Sequence, residues 1–154
     1  PLFQAVDGIR ALASSLVGSE MCIRDRLDEP RYVIQNVVDK FYDMPANTIR
    51  EQTFCCGSGS GLNAGEDMEL RMAGGLPRAN AVKSVHDSKG VNTLATICAI
   101  DRAALPDLMS YWVPEVEVYG VHEMVANALI LPGEKERDTD LRGEPLPGME
   151  DADE

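Results

Sequence analysis

Apolar residues recur along this chain in two rhythms. Val33, Ile34, Val37, Val38 and Phe41 fall at i, i+1, i+4, i+5 and i+8, which places them on one face of a helix. Glu29-Pro30 marks the start of that helix and Pro45 closes it. A weaker helical spacing of Leu2, Val6, Ile9 and Leu12 predicts a helix over the opening residues. TIREQTFCC predicts a short strand that delivers Phe54 and two adjacent cysteines to a loop. GEDMELRMAGGLPRANAVKSVHDSKG reads as helix, broken near Gly74-Gly75 and Pro77 and stopped at Lys89-Gly90. VNTLATICAI is β-rich and nearly all apolar, as in a buried strand of a parallel sheet. DRAALPDLMSYW predicts a short helix. VPEVEVYG predicts a strand in which Val116 and Val118 alternate with Glu115 and Glu117. VHEMVANALIL predicts a last helix with Val121, Met124, Val125, Ala128 and Leu129 inward.

This alternation of helix and strand predicts an α/β fold, a small parallel sheet flanked by helices in a partial Rossmann-like layer. Sites in such sheets lie in the loops at the carboxyl ends of the strands. Cys55 and Cys56 follow the predicted strand ending at Phe54, and Cys98 ends TLATIC. The three thiols are therefore expected to converge, although 41 residues separate Cys56 from Cys98.

Composition narrows the function. A hydrophobic fraction of 44% over 154 residues suits one globular domain. A net charge of -12 argues against a nucleic-acid partner, whose phosphates this surface would repel. No run approaches the length of a membrane span, and no secretory signal opens the chain. Residues 133–154 hold nine acids and three bases and read as a disordered, flexible acidic tail. Residues 14–26, SSLVGSEMCIRDR, resemble translated sequencing-adapter read-through. On that reading residues 1–26 are an artefactual or chimeric segment, Cys22 drops out of the functional set, and the natural sequence is the tail of something longer.

The remaining cysteines carry the chemistry. Three converging thiolates select zinc or iron–sulfur iron. Adjacent cysteines reach different iron atoms more readily than they close on one tetrahedral ion. The glycines of CCGSGSG, Gly57 and Gly59 first, let the backbone approach inorganic sulfide and aim N–H groups at it. Plainer readings stand beside this one. Cys98 serves as core filling, or Asp101 as the cap of the following helix. GSGSG matches a dinucleotide loop only weakly. His86 reads as a solvated surface residue and His122 as structural. Tyr111 and Trp112 read as packed under a helix. Arg71, Arg78 and Lys83 read as a solvated face, with a basic patch as the alternative.

CCGSGSGLN followed by TICAID resembles the CCG cysteine-rich domain of heterodisulfide-reductase-like proteins. The likeness is closer to the DsrK type associated with dissimilatory sulfite reductase. VVDKFYDMPANTIREQTFCCGSGSGLN, MELRMAGGLPRANAV, YWVPEVEVYGVHEMVANAL and DLRGEPLPG all share it, over roughly residues 27–148, and the resemblance implies a truncated carboxyl-terminal CCG domain over residues 27–132. The resemblance implies a catalytic 4Fe–4S cluster of non-cubane type, held by Cys55, Cys56 and Cys98 with Gly57 and Gly59 beside it. The family's closing CxxC has Asp101 at its second cysteine position, so Asp101 joins the metal set or the site has one thiolate fewer. Cys22 stands at about the spacing of the family's first cysteine, but inside the adapter-like string. The implied activity is thiol–disulfide oxidoreduction, with the fragment itself expected to be inactive. Electrons would pass from membrane quinol-oxidising subunits to a disulfide or trisulfide on a DsrC-like sulfur-carrier protein, and the chain would be cytoplasmic and peripheral to the inner membrane. The alternative is a non-catalytic zinc-binding or interaction module of an electron-transfer complex.

Overall fold

The computed structural model describes residues 27–59, 62 and 67–130, and the backbone of residues 14–17. The opening helix expected over residues 1–13, Cys22 and the acidic tail lie outside the described residues. The elements run β1 (Ser14–Val17), α1 (Glu29–Gln35), β2 (Lys40–Asp43), α2 (Met68–Lys89), β3 (Thr93–Thr96), α3 (Ala99–Trp112), β4 (Glu117–Gly120) and α4 (Val121–Ala128). Two short 3-10 turns, Ala46–Thr48 and Arg50–Gln52, follow β2. The four strands form one parallel sheet in the order β2-β1-β3-β4, which confirms the α/β class.

Adjacent strand residues point to opposite faces, and the core divides accordingly. Leu94 and Val118 join Val82, Val85, Leu105, Leu108 and Met109, so α2 and α3 cover one face. Ala95 joins Ile34, Val37, Met124 and Ala128, so α1 and α4 cover the other. All four residues of β3 are buried, as the apolar run predicted.

Three expectations need correction. The helix begun at Glu29 ends at Gln35, and KFYD is strand β2. The apolar run VVDKF fits either period, and Phe41 and Tyr42 pack on opposite sides of the sheet as strand neighbours do. Arg31, buried, bonds Asp43 at 2.7 Å and ties α1 to β2. No strand lies between β2 and the cysteine pair; Arg50–Gln52 is a 3-10 turn and Thr53 to Cys56 a loop. Helix α2 is not broken at Gly74-Gly75 or Pro77 but runs unbroken for 22 residues to a left-handed Gly90. Burial of Met72, Ala79, Val82 and Val85 along one face outweighs the local helix-breaking preference.

Ser14–Val17, within the segment that resembles adapter read-through, pairs with both β2 and β3. Parallel pairing uses backbone N–H and C=O groups, so this position asks little of the side chains. The sheet therefore reaches back before Leu27.

Candidate functional site

Sequence-adjacent strands lie on one side of β1 and later strands on the other, so the order of the sheet reverses between β1 and β3. In open parallel sheets the crevice at the carboxyl ends of two such strands is the usual ligand position. The carboxyl end of β3 opens directly on Cys98, which is the N-cap residue of α3. Asp101 stands three residues on, in the first turn of that helix, so the two are neighbours on its surface. Neither gives α3 a side-chain cap bond, which removes the plain capping reading of Asp101.

The cysteine pair lies on a loop packed against α2. Arg78 Nε donates to the Phe54 carbonyl at 2.9 Å, immediately before the pair. Gly57, immediately after it, adopts a left-handed φ of 81°. A Cβ at Gly57 would lie 2.3 Å from the Arg71 carbonyl oxygen, so glycine is required by the approach to α2. The Gly57 N–H donates to Cys55 Sγ at 3.3 Å. A Cβ at Gly59 would meet nothing within 4 Å among the described residues.

The loop sets Cys56 against Asp101. The two side chains are hydrogen-bonded, an arrangement that keeps the proton on Cys56 and favours the ionised form of Asp101. Burial first, then the bond to and charge of Asp101, push the Cys56 thiol up to about 12, with the Ser58 amide pulling the other way. Burial likewise raises Asp101 above the usual carboxylate range, while the bond from Cys56 and the Arg78 guanidinium oppose that rise. Asp101 is only 4% exposed, and its Oδ2 has no hydrogen-bond partner among the described residues. A buried acceptor left in this state is costly and asks for a donor or a cation.

Of the expected donors, the structure brings Cys56 and Asp101 into contact. Cys55 is the exposed neighbour of Cys56, and half-buried Cys98 adjoins Asp101 on α3. Among the described residues, no three His, Cys, Asp or Glu side chains gather closely enough to hold one metal ion. The expected convergence on a single point is therefore not found. In chemical type, three thiols with a neighbouring carboxylate match the ligands of iron–sulfur iron, for which thiolate sulfur is the usual ligand. An iron–sulfur group would also give the orphaned Asp101 oxygen a cation to face. By the same geometry, the donor set fits a single zinc ion poorly.

Sequence reasoning missed the two arginines behind this loop. Arg71 and Arg78 are 5% and 1% exposed, neither a solvated face nor a basic patch; only Lys83 is exposed, paired with Asp87 at 3.2 Å. Their spacing of seven, on one face with Gly75, was the available signal. His86 is half-buried and its Nδ1 donates to the Val91 carbonyl at 2.7 Å, closing the turn from α2 to β3. His122 is exposed at the start of α4. Tyr111 is 63% exposed rather than packed under a helix, and Trp112 donates its indole N–H to the Met72 carbonyl at 3.1 Å.

No family model matches the chain, and no solved structure matches it. Two curated proteins do. The chain is 52% identical over 124 residues, 78% of its length, to the Hdr-like menaquinol oxidoreductase iron-sulfur subunit 2 of Archaeoglobus fulgidus. It is equally similar, over the same share, to the Hdr-like menaquinol oxidoreductase iron-sulfur subunit of Archaeoglobus profundus. The chain spans 22% of the length of each of these relatives.

Proposed function

We propose that this chain is the catalytic iron–sulfur portion of a heterodisulfide-reductase-like oxidoreductase of the DsrK type. The observation that carries the reading is the 52% identity to subunits named as iron–sulfur parts of menaquinol oxidoreductases. The pairing of Cys56 with a buried, half-satisfied carboxylate supports it. Cys55, Cys56 and Cys98 are the thiolate ligands, Asp101 is the fourth donor, and the Gly57–Gly59 segment lies alongside. Together they would hold a 4Fe–4S group of non-cubane type, whose chemistry when bound would be one-electron transfer to a substrate sulfur.

The chain's own residues do the rest. The Cys55–Cys56 loop, held on α2, presents one exposed and one sheltered sulfur. Asp101 accepts the hydrogen bond of the Cys56 thiol and so orients that sulfur, and the thiol proton would leave to solvent on ligation. The overall change is reduction of a disulfide R–S–S–R′ by two electrons and two protons to RSH and R′SH. The substrate is a disulfide or trisulfide on a DsrC-like sulfur-carrier protein in dissimilatory sulfur metabolism. The electrons come from a quinol oxidised by membrane partner subunits. Among the described residues no helix is long and apolar enough to cross a membrane, so attachment through those partners at the cytoplasmic face is the arrangement proposed.

Anaerobic reconstitution with iron and sulfide tests this reading. After addition of a disulfide oxidant, the reconstituted chain should give a paramagnetic signal that Cys56→Ser abolishes. A chain that takes up iron yet gives the same spectrum with and without the disulfide contradicts the proposed reaction.

A further inference from the structure

Helix α2 lays one face against the cysteine loop. Arg71, Gly75 and Arg78 are spaced by four and three, so they share that face. Gly75 makes the room: a Cβ there would meet the Cys56 carbonyl oxygen at 3.1 Å and Leu108 Cδ1 at 2.6 Å. The loop is tied on both sides of the pair. Ahead of it, Nε and Nη2 of Arg78 both donate to the Phe54 carbonyl. Behind it, Arg71 Nε donates to the Ser58 hydroxyl at 3.4 Å.

The two arginines differ in electrostatics. Arg71 pairs with Asp107 at 3.3 Å. Arg78 is the largest of the fully buried side chains, and it directs two N–H groups at a neutral carbonyl one residue before Cys55. Its guanidinium also faces Asp101 beside Cys56, so its charge lies among the donors of the site. Holding a guanidinium out of water is expensive, and a loop tie alone does not require it.

We infer that Arg78 is the positioning residue of the cysteine pair, fixing Cys55 and Cys56 through the Phe54 carbonyl and supplying a buried counter-charge to the anionic group those thiolates hold. The positioning half stands on the loop geometry alone; the counter-charge half rests on the iron–sulfur reading.

The first test uses the full chain without iron and compares wild type with Arg78→Gln and Arg78→Lys. Alkylation of each cysteine is followed by peptide mass spectrometry, with Cys98 as the internal control. Loss of a buried hydrogen bond should raise the Cys56 rate relative to Cys98 by about tenfold in Arg78→Gln. Arg78→Lys, which keeps the charge and loses the fork, should show a smaller rise of the same kind. Cys56 and Cys98 accelerating together in both variants, or neither changing, overturns the positioning role. This comparison decides the point whether or not the chain takes iron. In chains loaded with iron, Arg78→Gln should lower the midpoint potential and Arg78→Lys should restore it, because a nearby cation favours the electron-rich form. Equal potentials in the two variants overturn the counter-charge.

Discussion

At the scale of single residues, the chemistry concentrates in Cys56 and Asp101. Burial raises the titration of both above their ordinary values, and that sets the direction of the pH dependence of the iron-free chain. Each folded value lies above its unfolded one, so each group's contribution to stability is complete below the unfolded value and is lost as pH rises. For Asp101 the loss starts just above its ordinary value of 3.8. For Cys56 it spans the window from 9.0 to about 12. Asp101→Asn should therefore stabilise the iron-free chain at pH 7 by roughly 1 kcal/mol, since it removes a buried, incompletely satisfied carboxylate. Urea unfolding checks this, and a loss of stability would mean that the carboxylate is structural. At pH 8 iodoacetamide should label exposed Cys55 well before Cys56; equal labelling would contradict the sheltered thiol. The identity of these residues was legible in CCG and in the Cys98 to Asp101 spacing. The contact between Cys56 and Asp101 was not, because nothing local in the sequence encodes a contact across 45 positions.

At the scale of elements, the sheet-facing helices were legible and the approach to the site was not. VNTLATICAI and VPEVEVYG carry the period and composition of strands, and β3 and β4 lie within them. Gly74, Gly75 and Pro77 read locally as a break, yet Gly75 marks close packing of an intact helix against Leu108 and the Cys56 backbone. Gly75→Ala should cost about 1–3 kcal/mol, because the added methyl overlaps Leu108 and presses on the loop. Chemical denaturation measures this. A neutral effect would mean that α2 and α3 separate easily, against the full burial of Leu105 and Leu108. The strand expected before Phe54 failed for a related reason. The loop's backbone groups are answered by Arg78 and Arg71 rather than by a neighbouring strand.

At the scale of the whole molecule, the order β2-β1-β3-β4 decides where the site lies, by putting the reversal of the sheet next to the strand that ends at Cys98. A two-layer cover of helices followed from the alternation of elements. The interior place of Ser14–Val17 did not, since a four-residue ladder is specified by its neighbours' backbones more than by its own side chains. Deleting residues 1–26 should expose the edges of β2 and β3 and abolish cooperative thermal unfolding followed by circular dichroism. An unchanged transition would show that the strand is dispensable. The central claim is that sulfurs from a loop on α2 and from the head of α3 share one iron–sulfur group. Its most direct measurement is the iron and acid-labile sulfide bound per chain after anaerobic reconstitution, in wild type and in Cys98→Ser. The account predicts about four of each in wild type and a marked loss in the variant; wild type without iron, or a variant that binds as much, contradicts it.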